Sequence, residues 1–265
     1  MQISQVLANS KLSRLDAEVL LADTLRISQT KIFINSDREI DQKDLVKFLE
    51  FEKLRLAGKS VAAILGSKEF FGLEFEVDEN VLIPRPETEI LVEEILKIEP
   101  QTLLEIGTGS GAIVIAVKKN LENCEVLATD ISPEALAIAQ KNAAKLNVEI
   151  NFLESDLLEN VSQNFEMIVA NLPYLPKNST EVESGVKKFE PSLALFSGQD
   201  GLDLIKKLLN QIAKLSEQPK FILLEFGGEK QVEPLRNFVQ KTLPKFEIEF
   251  LPDLAGIQRV LKLVK

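Results

Sequence analysis

The chain has 265 residues, 45% of them hydrophobic, so it can bury one large core and leave material for a second, smaller one. A formal net charge of −10 disfavours a nucleic-acid partner, because a grip on phosphate backbones draws on many Lys and Arg contacts. The absence of histidine removes imidazole bases, Ser-His-Asp triads and HExxH metal sites, and a single cysteine, Cys124, cannot build a disulfide or a thiolate zinc site, so no metal is expected.

Residues Met1 to Leu15 alternate polar and apolar side chains without the apolar run of a signal peptide, and no stretch reaches the ~20 apolar residues of a bilayer span. The expectation is a soluble, cytoplasmic protein with no membrane contact, acting as a monomer. From Leu12 to Leu56, apolar residues recur at helical spacing: Leu15, Val19, Ala22 and Leu25, then Leu45, Phe48 and Leu49 behind Asp41 as N-cap. This predicts a small all-helical bundle over residues 1–67. Phe70, Phe71, Leu73, Phe75 and Val77 then follow a strand-like rhythm that closes on Asp78-Glu79-Asn80, so residues 68–83 read as a hairpin linker.

After Pro100 the pattern becomes strand, helix, strand: Thr102 to Ile106, Ala112 to Lys119, Glu125 to Thr129, Pro133 to Lys145, Glu149 to Leu153, Phe165 to Ala170, and later Phe221 to Phe226. Short apolar runs between helices imply parallel strands covered on both faces, so residues 84–265 are expected to form an open α/β, Rossmann-like sheet. Phe246 to Leu251 and Arg259 to Val264 have no helix-length segment between them and should pair antiparallel at one edge.

Gly107-Thr108-Gly109-Ser110-Gly111 lies where the first strand of that sheet turns into its first helix. Glycine there lets a ligand approach the main chain without a Cβ in the way. About twenty residues on, Asp130 ends the second strand, where a carboxylate accepts hydrogen bonds from ribose hydroxyls. Together they predict an adenosine-containing ligand, although Gly107, Gly109 and Ala112 also satisfy the dinucleotide spacing, so the loop by itself leaves NAD and S-adenosylmethionine open.

The fourth strand separates the two. It ends in Asn171-Leu172-Pro173-Tyr174, with Tyr174 the only tyrosine of a chain that lacks tryptophan. A nitrogen conjugated to a carbonyl or an aromatic ring is a poor nucleophile, and without a histidine base the rate must come from positioning. The Asn171 side-chain oxygen and the Pro173 carbonyl can each accept one N–H of an NH₂ group, while Tyr174 offers a flat face to a planar amide or base and to a sulfonium cation. A plain strand-ending Asn-Pro loop is the alternative. Asp156, after the third strand, is a candidate for the adenine amino group, with Leu157 against the ring.

The chain resembles the HemK/PrmC family of release factor glutamine methyltransferases. The resemblance rests on Glu69-Phe70-Phe71-Gly72, Ile83-Pro84-Arg85-Pro86-Glu87-Thr88-Glu89, the glycine loop, Asn171 to Tyr174, Glu190-Pro191, Gly198 to Leu202 and Asp253 to Arg259. It implies a class I methyltransferase-like sheet and S-adenosyl-L-methionine as donor, with S-adenosyl-L-homocysteine as product. The implied partner is a class I peptide chain release factor, methylated on the glutamine of its Gly-Gly-Gln motif. By the same resemblance Arg85 or Thr88 makes a minor donor-pocket contact, the segment from Leu175 to Gln199 helps enclose the substrate loop, and the helical N-terminal region docks the release factor. Leu172 stands where the family usually has Pro, and Leu157 where some members have a tryptophan. An adenine-N6 methyltransferase of rRNA or DNA is the main rival, since its acceptor presents the same NH₂ geometry.

Overall fold

The computed structural model describes residues 1–179 and 184–265, which fall into two units. In the first are α1 (Ile3–Asn9), α2 (Arg14–Leu25), α3 (Gln29–Ile34), α4 (Gln42–Leu56) and α5 (Val61–Leu65). Side chains of Ser13, Asp41 and Ser60 cap α2, α4 and α5 by accepting the N–H three residues on. The bundle starts earlier than the apolar spacing suggested, because Ile3, Val6 and Leu7 form a buried stripe on α1. On α2 the core face is Ala17, Leu20, Leu21 and Leu25, and Leu15 is exposed. Apolar residues lie on several faces of that helix, so spacing alone could not select the buried one.

The second unit, residues 68–179 and 190–265 among those described, begins with the hairpin β1 (Ser67–Phe70) and β2 (Leu73–Glu76). Phe71 and Gly72 have φ of 50° and 71°, the left-handed pair of a two-residue hairpin turn. The segment expected as a linker is instead built into this unit. Phe70 and Phe75 are buried edge to face, and Asn142 on α8 (Pro133–Lys145) exchanges hydrogen bonds of 2.7 and 3.0 Å with the Glu76 backbone.

A seven-stranded sheet runs in the order β5 (Asn151–Glu154), β4 (Glu125–Asp130), β3 (Thr102–Ile106), β6 (Met167–Ala170), β7 (Phe221–Glu225), β9 (Gln258–Val264), β8 (Glu247–Pro252). The first five strands are parallel and the last two form the antiparallel edge. Each central strand is buried on both faces. Leu103, Val169 and Leu223 enter the core shared with α6 (Glu89–Ile98) and α7 (Ala112–Asn120), while Leu104, Ile168 and Leu224 enter the core shared with α10 (Asp203–Ala213) and α11 (Glu229–Thr242). Helix α9 (Ser184–Phe189) groups with the first unit rather than with the sheet.

The chain leaves β3 toward β4 and β5 on one side, then returns to lay β6 on the other. The crevice outside β3 and β6 is therefore the switch point at which open α/β sheets bind ligands. In register, Ile106 pairs with Thr129 and Ala170, and Ala170 with Leu224. Hence Gly107, Asp130, Asn171 and Glu225 all leave the strands at one level.

Asn142 is fully buried, and besides the hairpin it donates to the Ser110 carbonyl at 2.9 Å, tying the glycine loop to β2. Asn142→Ala is expected to lower stability by about 2–3 kcal/mol in urea unfolding, because buried backbone groups on two segments lose their partner.

Candidate active site

The glycine loop is held by the strand beside it. Gly107 and Thr108 N–H groups both donate to the Thr129 carbonyl, at 2.8 and 2.9 Å, and Gly109 N–H donates to Asp130 Oδ2 at 2.9 Å. Asp130 Oδ1 takes the Ser132 N–H at 3.0 Å. The carboxylate is thus braced on two sides and keeps lone pairs for hydroxyl donors such as a ribose diol. Burial raises its pKa, against the pull of these backbone hydrogen bonds.

A cleft of about 270 Å³ opens here. Gly107 to Ser110, Asp130, Asp156, Leu157 and Asn171 to Pro173 all line it, together with Arg85 and Thr88. The structure therefore brings together every sequence-predicted site residue except two. Tyr174 does not line the cleft, and Gly111 sits behind it as the N-cap of α7.

At Gly107 a Cβ would stand 3.1 Å from Leu172 Cδ2, on a backbone at φ +73°. The Asn171 turn is thus packed directly on the glycine loop, with buried Leu172 supplying the contact. Asn171 Nδ2 donates to the buried Thr88 hydroxyl at 3.1 Å. That commits the nitrogen end of the amide and leaves Oδ1 as its free acceptor. Among the described residues, no hydrogen bond reaches that oxygen or the Pro173 carbonyl.

Tyr174, expected to present a flat face to the acceptor, is turned to another task. Its hydroxyl donates to Glu225 Oε1 at 3.2 Å, and its carbonyl accepts from Gln231 Nε2 at 3.0 Å. Gln231 also reaches the Asp200 carbonyl and the Gly227 N–H, so one buried amide locks three segments around the turn. A Cβ at Gly201 would lie 2.1 Å from the Tyr174 carbonyl oxygen, which is what the glycine in the Gly198–Leu202 motif is for.

Arg85, expected as a minor pocket contact, is an anchor. Its Nη2 lies 2.7 and 2.8 Å from the two oxygens of the buried Glu190, whose Oε2 also takes the Ile83 N–H. This pair ties the Pro84-Arg85-Pro86 stretch to Pro191, and both stretches edge the cleft. Asp156 has one oxygen held by Lys207 at 2.6 Å, and Leu157 is buried in the left-handed region at φ 52°, with its carbonyl fixed by Ser155. A non-glycine residue held there carries backbone strain and aims the side chain at the cleft.

The segment from Leu175 to Gln199 is more ordered than its composition suggests. Leu175 makes a parallel bridge to Phe196, and Ser192–Ala194 form a 3₁₀ turn on the cleft edge. Residues 180–183 of that segment lie outside the described residues.

Two buried acids were missed as site residues. Glu105 lines the cleft with its carboxyl hydrogen-bonded by the Thr108 hydroxyl; burial first, then the charge of Asp130, pushes its pKa up to about 8. Glu225 is raised to about 7, mainly by burial, with the Thr88 and Tyr174 hydroxyls opposing. Their signal in the sequence was an acid inside an otherwise apolar strand, Leu-Glu-Ile in one case and Leu-Glu-Phe in the other. Among the described residues, no group of three or more His, Cys, Asp or Glu could hold a metal, and no helix is long and apolar enough to cross a membrane.

Two family models match the chain, a methyltransferase small domain over residues 86–192 and a PrmC N-terminal domain over residues 1–66. It is 37% identical to the release factor glutamine methyltransferase of Koribacter versatilis, over 96% of this chain and 92% of that one. The enzyme of the same name from Neisseria gonorrhoeae is 34% identical, over 98% and 96%. Among solved structures, the ribosomal protein L11 methylase from Lactobacillus delbrueckii subsp. bulgaricus superposes with a TM-score of 0.51 at 25% identity, covering 71% of this chain and 83% of that one. The hMettl16 catalytic domain in complex with MAT2A 3′UTR hairpin 1 gives 0.60 at 17% identity, covering 87% and 84%, a likeness of fold.

Glu105 and Glu225 bind their protons more tightly in the folded protein than in the unfolded chain. Their stabilisation is complete below the ordinary carboxyl value of 4.5 and is lost as pH rises through about 7 and about 8. Unfolding free energy is therefore expected to fall from about pH 4.5 to about pH 8 by an amount on the order of a few kcal/mol and to level off above, and Glu105→Gln to flatten the decline, as read by urea titration at each pH.

Proposed function

The chain belongs to the release factor glutamine methyltransferase family, and from that premise we propose that it methylates the side-chain amide nitrogen of the glutamine in the Gly-Gly-Gln motif of class I peptide chain release factors. The carrying observation is the pair of free acceptors in the turn after β6, the oxygen end of an amide whose nitrogen is committed to Thr88 and the Pro173 carbonyl, packed against the glycine loop through Leu172.

The cofactor is S-adenosyl-L-methionine, which supplies a methyl group made electrophilic by its sulfonium centre. The site fits it: the braced Asp130 carboxylate suits the ribose hydroxyls, Leu157 and Ile131 line an apolar wall for the adenine, and the free oxygen of Asp156 suits the adenine amino group. Gly109, where a Cβ would meet nothing within 4 Å, keeps the loop open to close approach.

An amide nitrogen shares its lone pair with its carbonyl. Two acceptors that take both of its N–H bonds hold the amide plane still and leave the π face directed across the cleft. The substrate nitrogen would take the methyl group as the carbon–sulfur bond breaks and its electron pair stays on sulfur, and would then give one proton to solvent water, which needs no imidazole once the nitrogen has become strongly acidic. Pro173 stiffens the turn so that the acceptors do not follow the substrate's motion. Tyr174 contributes by holding the turn, and Arg85 with Glu190 by fixing the edge of the cleft.

Residues 1–67 provide docking surface for the release factor, residues 68–265 carry the chemistry, and the protein works as a monomer in the cytoplasm without nucleic acid. In support stand the match of residues 1–66 to the PrmC N-terminal domain and the net charge of −10.

Offered labelled donor with release factor and rRNA side by side, the protein is expected to label release factor alone and to lose that label when the acceptor glutamine is changed to alanine; label in RNA would refute the assignment. Asn171→Ala is expected to lower kcat by about a hundredfold or more while S-adenosylhomocysteine affinity, measured by calorimetry, stays within about threefold.

A further inference from the structure

We propose that Lys207 and Gln211, side by side on α10, are positioning residues for the methyl donor: they hold the loop after β5 so that one Asp156 oxygen stays opposite the 6-position of the adenine and admits an amino group there but not a carbonyl. The proposal rests on the reading of Asp156 as the residue that faces the adenine amino group.

Lys207 and Gln211 stand four residues apart, so both side chains leave α10 on one face. Lys207 Nζ lies 2.6 Å from Asp156 Oδ2 and 3.5 Å from Glu159 Oε1, and so spans two acids of the loop. Gln211 Oε1 accepts the Leu158 N–H at 3.1 Å. The other side of that peptide group, the Leu157 carbonyl, takes the Ser155 hydroxyl at 2.9 Å, and the Ser155 oxygen in turn accepts the Asn160 N–H at 3.0 Å. The peptide plane after Leu157 is thus pinned on both edges, which holds Leu157 in the left-handed region at φ 52°.

Asp156 and Leu157 line the cleft, whereas Lys207 and Gln211 do not, so the two α10 residues act through the loop and not on the donor itself. Among the described residues, no hydrogen bond reaches Asp156 Oδ1. With Oδ2 taken by Lys207, Oδ1 is the oxygen left for the cleft.

A carboxylate accepts hydrogen bonds and has none to give. Adenine offers an NH₂ at its 6-position, which Oδ1 can take. A 6-oxo purine offers a carbonyl there, so two acceptors face each other, and its nearest N–H lies one ring position away. A loop held by α10 cannot follow that N–H, whereas a released loop can shift and recover a hydrogen bond. Discrimination between the two purines therefore reports how firmly the loop is held, while a general weakening of the site lowers both affinities together. The side chains of the Lys207–Asp156 pair are 43% and 35% exposed, so the pair adds little to stability and its loss leaves the fold intact.

The test is calorimetry of the full chain with S-adenosylhomocysteine and with its 6-oxo counterpart, S-inosylhomocysteine. The wild-type protein is expected to bind the adenosyl compound about thirtyfold more tightly, the cost of facing acceptors left unpaired. Lys207→Met, which keeps the stem and loses the charge, is expected to weaken adenosyl binding about threefold to tenfold and to bring the ratio down to about threefold or less, whereas Lys207→Arg retains the wild-type ratio. Gln211→Met removes the acceptor of the Leu158 N–H and is expected to lower the ratio in the same direction, through a separate contact. Asp156→Asn, whose amide can turn either end to the cleft, is expected to bind the two compounds about equally.

Equal affinity of the wild-type protein for the two compounds would overturn the proposal. So would a wild-type ratio in either Lys207→Met or Gln211→Met, whether or not both affinities fall, since that is the mark of a purely structural role. Binding of neither compound by the wild-type protein would bring down the donor site and the proposal with it, and this outcome is separate from any failure to methylate release factor.

Discussion

The lateral register of β3, β4, β6 and β7 is the constraint on which the rest of the site depends. Because Ile106 lies against both Thr129 and Ala170, and Ala170 against Leu224, four chain segments leave the sheet at the same height with no further adjustment. A slip of two residues in any one strand would preserve the buried faces yet carry its loop out of reach by about 7 Å. What prevents the slip is packing at the strand ends, above all Leu172 on Gly107 and the Thr129 carbonyl bound by two loop N–H groups. The chemistry of the cleft is thus inherited from the geometry of a parallel sheet whose strand order reverses between β3 and β6.

Around that crevice the protein concentrates acids that an ordinary core would reject. Glu105 and Glu225 are almost wholly removed from water, and each is answered chiefly by neutral hydroxyls rather than by a direct ion pair. Hydroxyls orient without cancelling charge, so both carboxyls stay close to neutrality's edge and both cost the fold some stability as they ionise. Asp130 differs because backbone N–H groups brace it from two sides. Arg85 and Glu190 differ again, with a direct ion pair that holds the cleft edge in shape.

The resemblance motifs sort by what they touch. Asn171, Leu172, Pro173 and Gly107 to Ser110 border the cleft, whereas Gly201 and Tyr174, joined by Gln231 from outside the motifs, hold the turn from behind. Tyr174 shows what local reading leaves out. Its aromatic face and its place beside Asn171 suggested contact with the acceptor, and the structure adds that its hydroxyl donates to the buried Glu225 carboxylate. Arg85, which lines the cleft, has its charge taken by a residue 105 positions away.

Local chemistry determined much of this protein from its sequence alone. Glycine spacing, an acid at the end of the second strand and Asn-Leu-Pro-Tyr after the fourth are short-range features, and short apolar runs between helices suffice to announce a parallel sheet. Spacing could not choose the buried face of α2, because its apolar residues surround the helix, nor reveal that residues 68–76 of the hairpin belong to the unit that holds the sheet. The tertiary structure alone decided which hydrogen-bond partner each polar group takes. Thr88 meets Asn171 across 83 positions and Tyr174 meets Glu225 across 51, and partners so distant in the chain are set by sheet register and packing, which no local pattern encodes.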